Sequence, residues 1–109
     1  MLIRLFAYAS NKDEAKHIFE SIIIAIENNI VHKKYTKNEP YWKMGGIYDV
    51  EVDIKLTKNF NELKRDEFLK SISDKWLAFG EPIEEVIASN TNKYCKYIKS
   101  GIKMINIFY

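Results

Sequence analysis

Residues Ile47 to Leu56, IYDVEVDIKL, alternate between apolar and polar without a break. Tyr48, Val50, Val52, Ile54 and Leu56 fall on one side, and Asp49, Glu51, Asp53 and Lys55 on the other. Successive strand side chains point to opposite faces, so the stretch reads as a strand with one buried and one wet face. A helix would scatter the same apolar residues around its circumference. The segment predicts a central strand of an antiparallel or mixed sheet, buried through Val50, Val52 and Ile54. Three carboxylates in a row would then face outward. The rest of the chain must supply a layer over one side of this strand.

The flanking segments can do so. Leu2 to Tyr8, LIRLFAY, is apolar on both faces except at Arg4, as expected of a central strand covered on at least one side. Ser10 or Asn11 can cap a helix after it, and Asn11 with Glu14 has capping-box spacing. Ala15, Ile18, Phe19, Ile22, Ile23, Ile26 and Ile30 then recur at three and four, a stripe that must lie on the sheet.

Gly45-Gly46 predicts a two-residue hairpin turn into the central strand. That turn would set Met44 opposite Ile47, Trp42 opposite Asp49 and Tyr41 opposite Val50, so Trp42 would share the outer face with the carboxylates. Pro40 confines the preceding segment to a sheet edge or a bulge. There Lys33, Lys34 and Lys37 would discourage edge-to-edge pairing.

A second helix, capped by Asn59 or Asn61, is expected to run to about Leu77 with Phe68, Leu69, Ile72 and Trp76 inward. Ile83 to Ser89 is open to both readings, but its length and its flanking Pro82 and Asn90 favour a strand. Asn92 to Ser100 reads as a short helix stopped by Gly101, and Met104 to Tyr109 as a closing strand. The sum is a single α+β domain over residues 1–109. Its order is β-α-β-β-α-β plus one extra strand, a ferredoxin-like antiparallel sheet with two helices on one face.

Composition narrows the function. With 47% hydrophobic and 29% charged residues the chain is of globular type. Cys95 is the only cysteine, which excludes an internal disulfide and fits a reducing compartment. The apolar opening is short for a signal peptide and the Ile22–Ile26 run is short for a bilayer, so a cytoplasmic protein is expected.

Of the 17 basic residues only Arg4 and Arg65 are arginine, and the net charge is +2, which argues against specific nucleic-acid readout. His17 and His32 have no partner at metal-ligand spacing. Cys95 lies between Lys93 and Lys96 but has no base placed beside it. Gly45-Gly46 carries no phosphate-loop pattern. Hence no catalytic residues, metal or cofactor are expected, and the chain reads as a non-enzyme. The row Lys93, Lys96, Lys99 and Lys103 reads as a solvated side, at most a salt-sensitive patch for anions. Asp49, Glu51 and Asp53 beside Trp42, by contrast, have the composition of a protein interface: an aromatic anchor with charges that steer.

The IRLFAYA opening strand, the Ile-rich helix, the acidic alternating hairpin, KWLAFG ending the second helix and the MINIFY close together resemble small bacterial immunity proteins. These are the antidotes encoded beside polymorphic or contact-dependent growth-inhibition toxins. The resemblance covers the full length in style and order. It implies a cytosolic, non-enzymatic protein that binds its cognate toxin domain tightly, often over a nuclease active site; the outer-face residues Trp42, Asp49, Glu51 and Asp53, by their own chemistry, are the expected contact surface. The rival reading is a ferredoxin-like ligand-binding or regulatory module, with an apolar pocket between helices and sheet.

The helical stripe generates a stability test. Ile22→Asp is expected to unfold the protein or nearly so. An unpaired buried carboxylate costs several kcal/mol against a total of about 5–15 kcal/mol. Thermal melts followed by circular dichroism check this, and an unchanged midpoint would place Ile22 outside the core.

Overall fold

The alternating stretch forms strand β3 (Ile47–Leu56), with Val50, Val52 and Ile54 buried as the pattern requires. Strand β1 (Leu2–Tyr8) runs antiparallel beside it, so that Leu5 faces Val50 and Ile3 faces Val52. Strand β6 (Ile102–Phe108) takes the other side of β1, with Ile105 facing Leu5 and Ile107 facing Ile3. These three strands make an apolar floor of residues that exclude solvent. In the computed structural model, which describes residues 1–109, the floor is extended by β2 (Ile30–Pro40), β4 (Leu77–Phe79) and β5 (Glu85–Ser89). The sheet is six-stranded and antiparallel, in the order β2-β3-β1-β6-β5-β4.

Two helices close the core from one side. Helix α1 (Lys12–Ile23) starts where Asn11 Oδ1 accepts the Glu14 amide at 2.8 Å, satisfying one of the free N-terminal donors. It buries Ala15, Phe19, Ile22 and Ile23. The chain then tightens into a 3-10 helix over Ile24–Asn29, which keeps Ile26 inward and turns Ile24 to solvent. Helix α2 (Glu62–Ile72) is capped by Asn61 Oδ1 on the Lys64 amide at 3.0 Å and buries Phe68 and Ile72. Both helices and the sheet floor feed a single core cluster of 19 buried residues. The α+β class, the antiparallel sheet and the pair of helices agree with the sequence reading at that level.

Four local expectations are corrected. The β2–β3 connection is not a two-residue turn. Pro40 already faces Tyr48, so Tyr41 to Gly46 form a longer loop, and β2 bulges after Ile30 and Tyr35. Glu39, not Trp42, therefore stands opposite Asp49, and Asn38, not Tyr41, opposite Val50.

Helix α2 stops at Ile72, well short of Leu77, because Ser73 leaves in an extended conformation. The Trp76 indole Nε1 then donates to the carbonyls of Leu69 and Ser73 at 3.0 and 3.1 Å, capping the helix it was expected to extend. Leu77–Phe79 instead form the short strand β4, one strand more than expected.

Asn92 to Ser100 is not helical. Its amides are claimed from outside: Asp74 Oδ1 accepts from Tyr97 N at 2.8 Å and Lys96 N at 3.1 Å, and Ile72 O accepts from Lys99 N at 2.8 Å. Buried Ser73 donates to the Tyr97 carbonyl at 2.9 Å. Gly101, at φ +88°, turns this segment into β6. That positive φ favours glycine, and a Cβ there would also stand 3.0 Å from Ile18 Cδ1, which would have to give way.

The Asp74 clamp predicts a pH effect. The Tyr97 amide, and after it that of Lys96, hold the Asp74 carboxyl below its usual value despite partial desolvation. A depressed carboxyl stabilises the fold above its unfolded-state pKa, and the contribution disappears as pH falls through the folded value. Asp74→Asn is expected to flatten the acid limb of the stability curve and to speed hydrogen exchange at the Lys96 and Tyr97 amides. An unchanged acid limb would show the clamp to be energetically silent.

Candidate functional site

No helix covers the second face of the sheet. The strand registers place Lys37, Glu51, Arg4, Asn106, Ile87 and Leu77 in one row across it, from one edge to the other. Beside that row lies another, Glu39, Asp49, Phe6, Met104 and Ser89. The three expected carboxylates share this face, as their alternation requires, but they do not share an environment.

Asp49 is only 6% exposed, which corrects the expectation of a wet residue. Its Oδ2 pairs with Lys37 Nζ at 3.1 Å, while Oδ1 has no hydrogen-bond partner. Glu51 is half-buried between two cations, Lys37 Nζ at 3.7 Å and Arg4 Nε at 3.6 Å. Arg4 in turn lies over the Phe108 ring at 5.8 Å. Of the three, Asp53 alone is exposed, opposite Lys34.

Asn106, also buried, donates through Nδ2 to Glu85 Oε1 at 2.7 Å and leaves Oδ1 unpartnered. Hydrogen bonding to Asp49 raises the Lys37 ammonium above its ordinary value, and the nearby charges of Asp49, Glu39 and Glu51 add to this against a desolvation penalty. The acidic row is thus largely neutralised on the protein itself. Lys37, read from sequence as an edge gatekeeper, is the residue that does most of this. Lys33 is likewise engaged, at 2.6 Å from Glu20, which also accepts from Tyr35 Oη at 2.7 Å. Burial works against the Glu20 carboxylate, yet these two donors hold it below its usual range.

The apolar half of the face is open. Trp42 is 83% exposed on the β2–β3 loop, with Lys43 Nζ 5.0 Å from its ring centre. Its neighbour Tyr41 stands edge-on to Phe6 at 5.0 Å, so the loop folds back over the sheet. Leu77 and Phe79 on β4 are 47% and 48% exposed. Between the loop and the β5–β6 end a groove of about 300 Å³ opens over Phe6 and Met104.

The remaining sequence candidates converge on nothing. His17 and His32 are exposed, and no three His, Cys, Asp or Glu side chains approach closely enough to hold a metal ion. Cys95 Sγ rests against the Tyr97 carbonyl at 3.2 Å and Ser73 Oγ at 3.5 Å. The space between helices and sheet is filled by Phe19, Ile22, Phe68 and Ile72. No helix is long and apolar enough to cross a membrane. Compared with protein-family models, curated proteins and solved structures, the chain matches none.

Arg4 and Lys37 are the residues that sequence reasoning undervalued. Arg4 carried a signal: a lone cation inside an apolar central strand needs a partner on the neighbouring strand, and Glu51 is that partner.

The pair Lys37–Asp49 predicts non-additive stability. Lys37→Met leaves a buried carboxylate alone and is expected to lower the melting temperature. Adding Asp49→Leu to it should restore most of the loss, since an apolar pair can replace a buried ionic one. In the wild type the raised Lys37 contributes fully below the ordinary lysine value of 10.5, and its contribution is lost as pH rises through the folded value. Thermal melts of both variants, and of the wild type into the alkaline range, check these outcomes. A double variant no more stable than Lys37→Met would refute the pairing.

Proposed function

We propose that this chain is a non-enzymatic binding protein of the immunity type, acting in the cytoplasm, which neutralises a cognate bacterial toxin domain by direct, tight contact. The observation that carries the reading is the helix-free sheet face. Leu77 and Phe79 stand exposed on its β4 edge, beyond the charged row, and Trp42 stands exposed on the β2–β3 loop. Large apolar side chains left open beside fixed polar groups are what a desolvated interface needs.

The division of labour differs from that suggested by the residue types alone. Trp42 is the anchor, since exposed tryptophan gains most on burial in a partner. Asp53 is the acid free to steer, because exposed pairs add rate more than affinity. Asp49 and Glu51, held by Lys37 and Arg4, fix the shape and charge pattern of the face. A toxin nuclease domain is a fitting partner class, since its site is itself built to hold charged phosphates.

We also infer a ferredoxin-like core. The order β6-β1-β3-β2, with α1 and α2 on one face, supports reading β4 and β5 as an addition between α2 and the closing strand.

The test is co-expression with the toxin domain encoded beside this gene. Trp42→Ala and Phe79→Glu are expected to keep the fold but lose protection, Trp42→Ala mainly through faster dissociation. Glu67→Lys, on the exposed side of α2, should protect fully. Undiminished protection by both face variants would exclude this surface, and the absence of any neighbouring toxin that the wild type neutralises would exclude the function.

A further inference from the structure

The groove on the helix-free face has a chemistry of its own. Phe6 and Met104 form its floor, and Tyr41 and Met44 wall it from the loop side. At about 300 Å³ it sits at the lower end of ligand sites, roughly 300–1,000 Å³, with room for a single side-chain anchor.

Two lysines border it, Lys43 from the loop and Lys103 from β6, and neither pairs with a carboxylate. None of the lining residues is acidic. The loop Tyr41–Gly46 contains no Asp or Glu, and Asp49, opposite Phe6 on β3, is engaged by Lys37. On the opposite side the Ser89 and Thr91 hydroxyls, 2.8 Å apart at the rim, are hydrogen-bonded to each other, which leaves at most one hydroxyl proton for an incoming oxygen. The charge here is the reverse of that expected from the acidic strand a few residues away, whose carboxylates are already engaged by Lys37 and Arg4.

We propose that the groove receives a large apolar side chain of the protein partner, an aromatic or a leucine, flanked by acidic residues that meet Lys43 and Lys103. This rests on the binding-protein reading above and adds to it the chemistry of the partner's contact segment. The apolar floor supplies the desolvated anchor site, and the two unpaired ammonium groups select the sign of charge around it. A basic segment would face uncompensated lysines on both sides of the same groove.

The experiment uses the full chain, uniformly labelled with nitrogen-15. It is titrated with two capped tripeptides, acetyl-Asp-Phe-Asp-amide and acetyl-Lys-Phe-Lys-amide. The acidic peptide is expected to give saturable shifts at the amides of Met44, Ser89, Thr91 and Lys103, and the basic one to bind about tenfold more weakly or not at all. The variant Lys43→Glu with Lys103→Glu reverses the charge at exposed Lys43 and half-buried Lys103 and should invert the preference, with circular dichroism confirming that the fold is kept. Equal response to both peptides, an unaltered preference in the double variant, or no saturable shift at these amides at millimolar acidic peptide would each overturn the proposal. The titration reports the groove and not protection of cells. Its failure beside a positive protection assay would refute only the groove chemistry, and selective peptide binding without any toxin neutralised would refute only the immunity function.

Discussion

The register of β3 against β1 is the constraint on which everything else depends. With Val50 opposite Leu5 and Val52 opposite Ile3, the apolar members of both strands lie beneath α1. A slip by one residue would turn Asp49, Glu51 and Asp53 under the helix, where no cation waits for them. The same parity places Arg4 against Glu51 on the other face. One alternation thus specifies both the hydrophobic layer and the ionic one, and neither can shift without the other. Bulges in β2 after Ile30 and Tyr35 keep that strand in step, bringing Lys37 level with Glu51 while Tyr35 still points at Phe19, 5.6 Å between ring centres.

A sheet face without a helix usually alternates into water, yet here it holds a half-buried layer of its own. The Tyr41–Gly46 loop folds back on Phe6, and the Lys37–Asp49–Glu51–Arg4 group closes over the middle. Each of these ions has an opposite charge within 3.7 Å, so the middle of the face presents paired charges instead of isolated ones. Pairing charges before an encounter lowers the ordering cost at the encounter, which suits a surface meant for one partner. The lysine-bordered groove and the exposed Trp42 lie at the end of the face where those paired charges stop.

What could be read from the sequence follows the range of the interactions involved. β3 and α1 were legible because their signals are periodic and local: ten alternating residues in one case, an Asn11 cap and an isoleucine stripe in the other. The β2–β3 turn was not, because Gly45-Gly46 suits a tight turn, while Pro40 and the packing of Tyr41 on Phe6 end the ladder earlier. Trp76 has helical spacing from Ile72 but serves as the helix stop through its indole, a role that periodicity cannot express. Asn92–Ser100 has helix-compatible residues, and Asp74, far off in sequence, takes their amides. At the site, the sign of the charge was legible for Asp53 and concealed for Asp49 and Glu51, whose partners Lys37 and Arg4 come from other strands. The groove draws on segments scattered over a hundred residues and left no sequence signal at all.

The neighbours at the middle of the sheet are the two strands most distant in the chain: Leu2 of β1 pairs with Phe108 of β6. During synthesis at about 5–20 residues per second, β1 therefore leaves the ribosome roughly 5–20 s before its partner. The β2–β3 hairpin and both helices can form in that interval, since their contacts are near in sequence, but the floor on which the helices rest is missing its far half. LIRLFAY waits as an apolar strand with one edge open, the kind of segment that chaperones hold. Until residues 102–108 are in place, the sheet lacks the strand that joins β1 to β5, and the core stays open on that side.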